Sequence, residues 1–227
     1  MRESAGFRIR LINQSSVTRK EMAVVARAIN KQLKRDVAPV WDVVVSVTNS
    51  TSPGVQCDAT MIITDELPEG DGYLGYHDRD ENGLPYGYVF RKVSEQYGEN
   101  WTVTLSHEVL EMLMDPFANI TARTTIRKKP AWVWYELSDP VQADTYTIDG
   151  VEVSDFVLPG YFMPGIGGSF LTPDLKPFSV RPGGYLGYET PAGEVEYIHG
   201  GKAATQRLQI KSKYGIGRGA NLRRLDS

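Results

Sequence analysis

The stretch that most constrains this chain is Leu105-Ser106-His107-Glu108-Val109-Leu110-Glu111-Met112-Leu113-Met114, an apolar run of helical character with a histidine and two carboxylates set inside it. On an α-helix, side chains four residues apart lie one turn above each other, so His107 and Glu111 converge. Glu108 stands about 100° further round, near enough to reach the same small volume. Leu105, Val109, Leu110, Met112 and Leu113 make the helix apolar over most of its circumference, the mark of a buried helix. Two carboxylates buried beside an imidazole are costly without compensation, so the stretch requires a bound cation or a tight polar network. Whatever fold the chain adopts must close around it.

The segments before it carry strand and helix patterns in turn. Phe7-Arg8-Ile9-Arg10-Leu11 alternates apolar and polar residues as a half-buried strand does. Thr18 or Ser16 caps a predicted helix running to Lys34, with Met22, Val25, Ala26, Ile29 and Leu33 as its apolar stripe, and Pro39 is expected to close it. Residues 41–47 and 59–64 read as strands. Two glycine-punctuated aromatic segments follow, Gly72-Tyr73-Leu74-Gly75-Tyr76-His77 and Pro85-Tyr86-Gly87-Tyr88-Val89-Phe90, and glycines within such segments suit an edge strand or a close backbone approach. The polar residues 78–83 between them read as a solvated turn. The central helix is expected to begin at Ser94 or Thr102 and to stop before Pro116.

Beyond that helix, residues 120–129 read as a basic surface loop, and residues 131–140 return the chain to the core. Residues 145–153 form a predicted hairpin turning at Asp149-Gly150. An ordered loop rich in glycine, proline and aromatics spans 158–173, and a second hairpin spans 185–197, turning near Ala192-Gly193. The expected fold class is α+β: a mixed sheet with an N-terminal helix and an active-site helix, followed by a β-rich C-terminal part. The expected divisions are 1–158 for the metal-site domain, 159–199 for a loop and hairpin extension packed on it, and 200–227 for a basic C-terminal tail.

Metal-assisted hydrolysis needs a cation held by about three protein groups, one position left for water, and a base for the water's proton. His107 and Glu111 supply two ligands and Glu108 the base. The third ligand must come from another element. Glu136, in Glu136-Leu137-Ser138-Asp139, is the first candidate, Asp139 and His77 are the alternates, and Asp144 and His199 stand behind them. Asp78-x-Asp80-x-Asn82-Gly83 matches only the first half of a calcium loop, because Val89 stands where the bidentate glutamate belongs. Ser106 and His107 are no catalytic pair by adjacency, since neighbouring helix residues do not face each other.

The β-α-β-β order, the glycine-interrupted strand, the His-Glu-x-x-Glu helix and the downstream Glu-x-x-Asp together resemble the zincin metallopeptidases. The glutamate third ligand is similar to that of the thermolysin-like gluzincin branch. More narrowly, Leu74-Gly75-Tyr76-His77-Asp78, Ser106-His107-Glu108-Val109-Leu110-Glu111-Met112 with Asp115-Pro116, Glu136-x-x-Asp139 and Ser154-Asp155-Phe156-Val157-Leu158-Pro159 resemble a set of uncharacterised bacterial and phage proteins. The resemblance covers roughly residues 60–190. It implies a zincin-like fold, His107, Glu111 and Glu136 as ligands, Glu108 as general base, and a metal-dependent peptidase or amide hydrolase acting on a peptide or protein through a metal-activated water. Zinc is the first expectation. Manganese or calcium are the alternatives, because Glu111 stands where the zinc-peptidase pattern has its second histidine and oxygen ligands widen the choice. The same departure admits a non-enzymatic phage virion component that keeps the fold and a structural ion. An extended peptide would lie along residues 73–77 or 86–90, with Tyr135, Tyr146 or His199 as candidates to support an oxyanion.

Composition narrows the remaining classes. No apolar run approaches the roughly 20 residues of a membrane span, and the first residues carry no apolar signal core. Cys57 is the only cysteine, which excludes an internal disulfide. Cytoplasmic synthesis is expected, with incorporation in a phage virion as the further alternative. Residues 202–227 carry seven basic residues against one acid, so with a formal charge of −3 for the whole chain the remainder holds about −9. Tyr214 is the tail's one aromatic residue, too few for base stacking, so a virion protein neighbour is expected there rather than nucleic acid.

Overall fold

Alternation in the first segment produces strand β1 (Phe7–Gln14), which buries Ile9 and Leu11 on one face. The computed structural model describes residues 6–50, 52, 54–66 and 74–201, and the backbone of 223–225. Helix α1 (Arg19–Gln32) follows, and of the two candidate caps Thr18 serves, its hydroxyl accepting from the Glu21 amide at 3.2 Å. The predicted stripe of Met22, Val25, Ala26, Ile29 and Leu33 is buried.

Pro39 does not close this helix. A π-helical turn (Leu33–Val37) leads into the short α2 (Ala38–Trp41), where Pro39 lies in the first turn and its missing N–H costs nothing. Asp42, with φ of 50°, makes the break. The predicted strand over 41–47 therefore shrinks to β2 (Val45–Thr48). Strands β3 (Ala59–Thr64), β4 (Gly75–Arg79) and β5 (Pro85–Phe90) complete a sheet of order β2-β1-β3-β5-β4. All neighbours are parallel except β4, which runs antiparallel to β5 at the edge. Residues 86–90 are thus interior, paired on both sides, and offer no edge to an extended ligand. The turn between β4 and β5 is the expected solvated one, with Asp80 Oδ1 accepting from the Asn82 and Leu84 amides.

The predicted central helix divides into α3 (Arg91–Gln96) and α4 (Trp101–Met114). Asn100 starts α4 by accepting from the Thr102 amide at 3.1 Å. Trp101 to Met112 are all buried, as a helix apolar all round demands. It lies between β4 and β5 on one side and β9 (Val151–Ser154) on the other. Ser106 fixes this position: its hydroxyl donates to Gln32 Oε1 at 2.8 Å and accepts from the Ser154 amide. It ties α1, α4 and β9 together, which is a structural task.

Residues 120–129 are not a loop. They supply β6 (Ile120–Ile126) and the start of β7 (Lys129–Trp134), joined by Arg127 and Lys128 with φ of 50° and 65°. Two-residue hairpins favour Asn-Gly or Asp-Gly, so a turn of two basic residues carries no local sign of itself. The hairpin of β8 (Thr145–Ile148) and β9 does turn at Asp149-Gly150 as expected. Strands β10 (Tyr185–Glu189), β11 (Val195–His199) and β12 (Arg223–Leu225) complete a second sheet of order β11-β10-β7-β6-β12. The chain is α+β, with a mixed sheet, an N-terminal helix and a β-rich C-terminal part. Of the basic tail, Gly200, Gly201 and the β12 backbone, which runs parallel to β6, fall within the described residues. No helix among the described residues is long and apolar enough to cross a membrane.

The loop over 158–173 is ordered by Asp155, whose buried carboxylate accepts from the Ser169 hydroxyl at 2.8 Å and the Leu171 amide at 3.1 Å. Burial pushes this carboxyl up to about 6, against the hydrogen bonds that favour its charged form. An acid raised on folding is ionised more readily in the unfolded chain, so the folded state loses stability as pH climbs from about 4 to about 6. Asp155→Asn is expected to flatten this part of the stability curve. The difference between wild-type and variant unfolding free energies should change by about 1–3 kcal/mol over that range in urea titrations. Parallel curves would show that Asp155 does not titrate there.

Candidate metal centre

The site forms where α4, β4 and the segment after β7 meet. Helical spacing brings His107 Nε2 to 3.0 Å from Glu111 Oε1, as the sequence requires. The chain leaving β7 then folds over the helix, and Asp139 opens a 3₁₀ turn (Asp139–Val141). Its amide donates to Glu111 Oε1 at 3.2 Å, while its own Oδ1 lies 3.2 Å from His107 Nε2. His107, Glu111 and Asp139 are therefore packed donor to donor, and all three are buried.

Glu136, the first candidate for third ligand, groups instead with Glu111 and His77, one donor atom from each lying within 4.8 Å of the others. A second such group is His107, Glu108 and Glu111. Glu111 belongs to both, so the five residues and Asp139 form one connected cluster. Of the residues expected from the sequence, His77, His107, Glu108, Glu111, Glu136 and Asp139 reach it. Asp144 instead pairs with Arg181 at 2.7 Å, and the Tyr146 hydroxyl donates to Asp36 Oδ2 on the π-helical turn. His199, on edge strand β11, stacks against Tyr197.

His77 occupies a place that sequence alone could not assign. Its Nε2 is 3.2 Å from the backbone carbonyl of Asp115, and its Nδ1 is 3.4 Å from Glu108 Oε2. A carbonyl can only accept, so Nε2 carries hydrogen and donates to it. Burial disfavours the His77 imidazolium, but the contact with Glu108 and the charges of Glu111 and Asp115 hold it above the ordinary histidine value. Burial likewise opposes charge on His107, yet Glu111 and Asp139 outweigh it and push the group up to about 10.

In the sequence Asp115 stands out only through the Asp115-Pro116 pair. In the fold its carboxylate accepts from the Asn119 and Ile120 amides, which turns the chain into β6 and aims its carbonyl at His77. Gly75 was legible only as a strand irregularity. A Cβ there would meet Tyr88 O at 2.8 Å, Thr104 Cγ2 at 2.9 Å and Glu108 Cγ at 3.0 Å, so its bare backbone is what lets α4 approach the edge strand. Gly75→Ala is expected to destabilise the protein by about 1–3 kcal/mol through this overpacking. Chemical denaturation measures it, and an unchanged midpoint would show that the interface yields freely.

The donor set fits a divalent cation. Glu108, Glu111 and Asp139, all buried, and the half-buried Glu136 bring four carboxylates beside two buried imidazoles, and burying such groups is costly unless they are compensated. Mixed imidazole and carboxylate donors at this spacing could hold a metal ion. Comparison with protein-family models, with curated proteins and with solved structures found no match to this chain.

Proposed function

We propose that the protein is a zincin-like, metal-dependent peptidase or related amide hydrolase, with His107, Glu111 and Asp139 as the cation's donors and Glu108 as the general base. The observation that carries this reading is the buried meeting of His107 with Glu111, Glu108 and Asp139 on the helix that packs against edge strand β4. When bound, the cation would supply Lewis acidity, polarising a substrate carbonyl and making a water more acidic. Two anionic donors moderate that polarisation, which places more of the task on Glu108. Its carboxylate takes the proton from the attacking water and returns it to the departing amine.

Among the described residues no strand pairs with the outer edge of β4. An extended peptide adding there would expose its backbone carbonyls to the cluster under Gly75 and His77, with main-chain hydrogen bonds giving affinity. Glu136, beside Glu111 and His77, adds negative charge on which a substrate amine or a further metal bond would depend. The test is purified protein loaded separately with Zn²⁺, Mn²⁺ and Ca²⁺, incubated with a peptide library and read by mass spectrometry. Cleavage with one metal and none with chelator is the expected result. Intact peptides under every loading would remove the hydrolase reading, while elemental analysis of the same samples shows separately whether an ion is held.

A further inference from the structure

The Glu108 carboxylate lies within 4.8 Å of donors on His107 and Glu111, so distance alone does not separate a base from a ligand. The two roles exclude each other. A further carboxylate on the cation would fill the position a reacting group needs and damp the ion's polarising power. Glu108 must therefore be restrained, and two features of β4 act on it. Gly75 leaves the space that its Cγ occupies, and His77 Nδ1 holds Oε2 at 3.4 Å. His77 is itself well anchored: it is buried, its Nε2 donates to the Asp115 carbonyl, and its strand pairs in register with Gly87 of β5.

We propose that His77 is a positioning residue that holds Glu108 away from the cation and so keeps it a base instead of a fourth ligand. This rests on the assignment of Glu108 as base and of His107, Glu111 and Asp139 as donors. It differs from the expectation that His77 is itself a ligand, and the two give opposite results. Losing a ligand weakens metal binding. Losing the restraint lets Glu108 join the cation and strengthens it.

Asparagine at this position reaches with its amide nitrogen to where Nδ1 lies, and glutamine to where Nε2 lies. His77→Asn thus keeps the Glu108 contact and loses the Asp115 one, while His77→Gln does the reverse. Full-length wild type and both variants, checked for folding by circular dichroism, are titrated with Co²⁺ and followed by visible absorption. Wild type and His77→Asn are expected to share one spectrum and one Kd. His77→Gln should bind on the order of tenfold more tightly, with weaker d–d bands because the coordination number has risen. His77→Leu, which loses both contacts, should match His77→Gln. Both effects should vanish when Glu108→Gln is added, since an amide is a poor ligand. Unchanged or weaker binding in His77→Gln and His77→Leu overturns the proposal, as does tighter binding that persists without the Glu108 carboxylate. Wild-type protein that takes up no Co²⁺ overturns the metal assignment, and the role of His77 with it.

Discussion

Removing the cation from metal-loaded protein with a chelator is expected to lower the melting temperature by about 8–16 °C. A ligand present at about a thousand times its Kd stabilises the folded state by roughly 4 kcal/mol, and a domain of this size shifts by about 2–4 °C per kcal/mol. The effect should be large here because of what the ion compensates. Glu111 and Asp139 are buried, as are His107 and Glu108, and the cluster sits inside the same core that joins α4 to β9. Without the cation, buried carboxylates must be balanced by protons or by their neighbours alone. Restoring the metal should restore the melting temperature. Differential scanning calorimetry with elemental analysis of each sample measures both quantities, and protein that takes up no metal on loading and melts at the same temperature with and without chelator would end the metal reading.

The second large effect is on chemistry. Glu108→Gln is expected to reduce hydrolysis by about 10²–10⁴-fold, the usual contribution of a general base. Metal content and melting temperature should remain close to wild type. The substitution keeps the side chain's length and volume, so its packing against Gly75 survives, and the amide can still meet His77. What it removes is an oxygen able to take a proton from water. Steady-state rates on any peptide found in the library screen measure this, alongside the metal-to-protein ratio. A variant that retains full activity would show that the base lies elsewhere. One that loses metal as well as activity would show that Glu108 is a ligand.

The helix at the centre was legible from sequence because its logic is local. His107 and Glu111 meet through the helical repeat alone, and burial of α4 follows from its apolar circumference. The Asp149-Gly150 hairpin was legible for the same reason, since its turn residues state their conformation. Where local sign and outcome parted, a non-local interaction decided. Arg127 and Lys128 adopt a left-handed turn because β6 and β7 pair on either side of them. Pro39 sits inside a helical segment because a π-helical turn precedes it.

By itself, the sequence determined the α+β class, the buried helix and the meeting of His107 with Glu111, because each depends on residues within a turn or two of each other. Only the tertiary structure decided that β4, and not β5, forms the edge, since both segments carry the same glycine and aromatic pattern. It also places Glu136 and Asp139 differently, Glu136 with Glu111 and His77, Asp139 against His107. Both lie three residues apart in one loop, and the amide of Asp139 docking on Glu111 is what sets the Asp139 carboxylate against His107. His77 is 31 residues from Glu108, and their contact exists because strand register and the Asp115 turn place one ring between a carboxylate and a carbonyl. Contacts made across that length of chain are set by packing of whole elements, which no local pattern encodes.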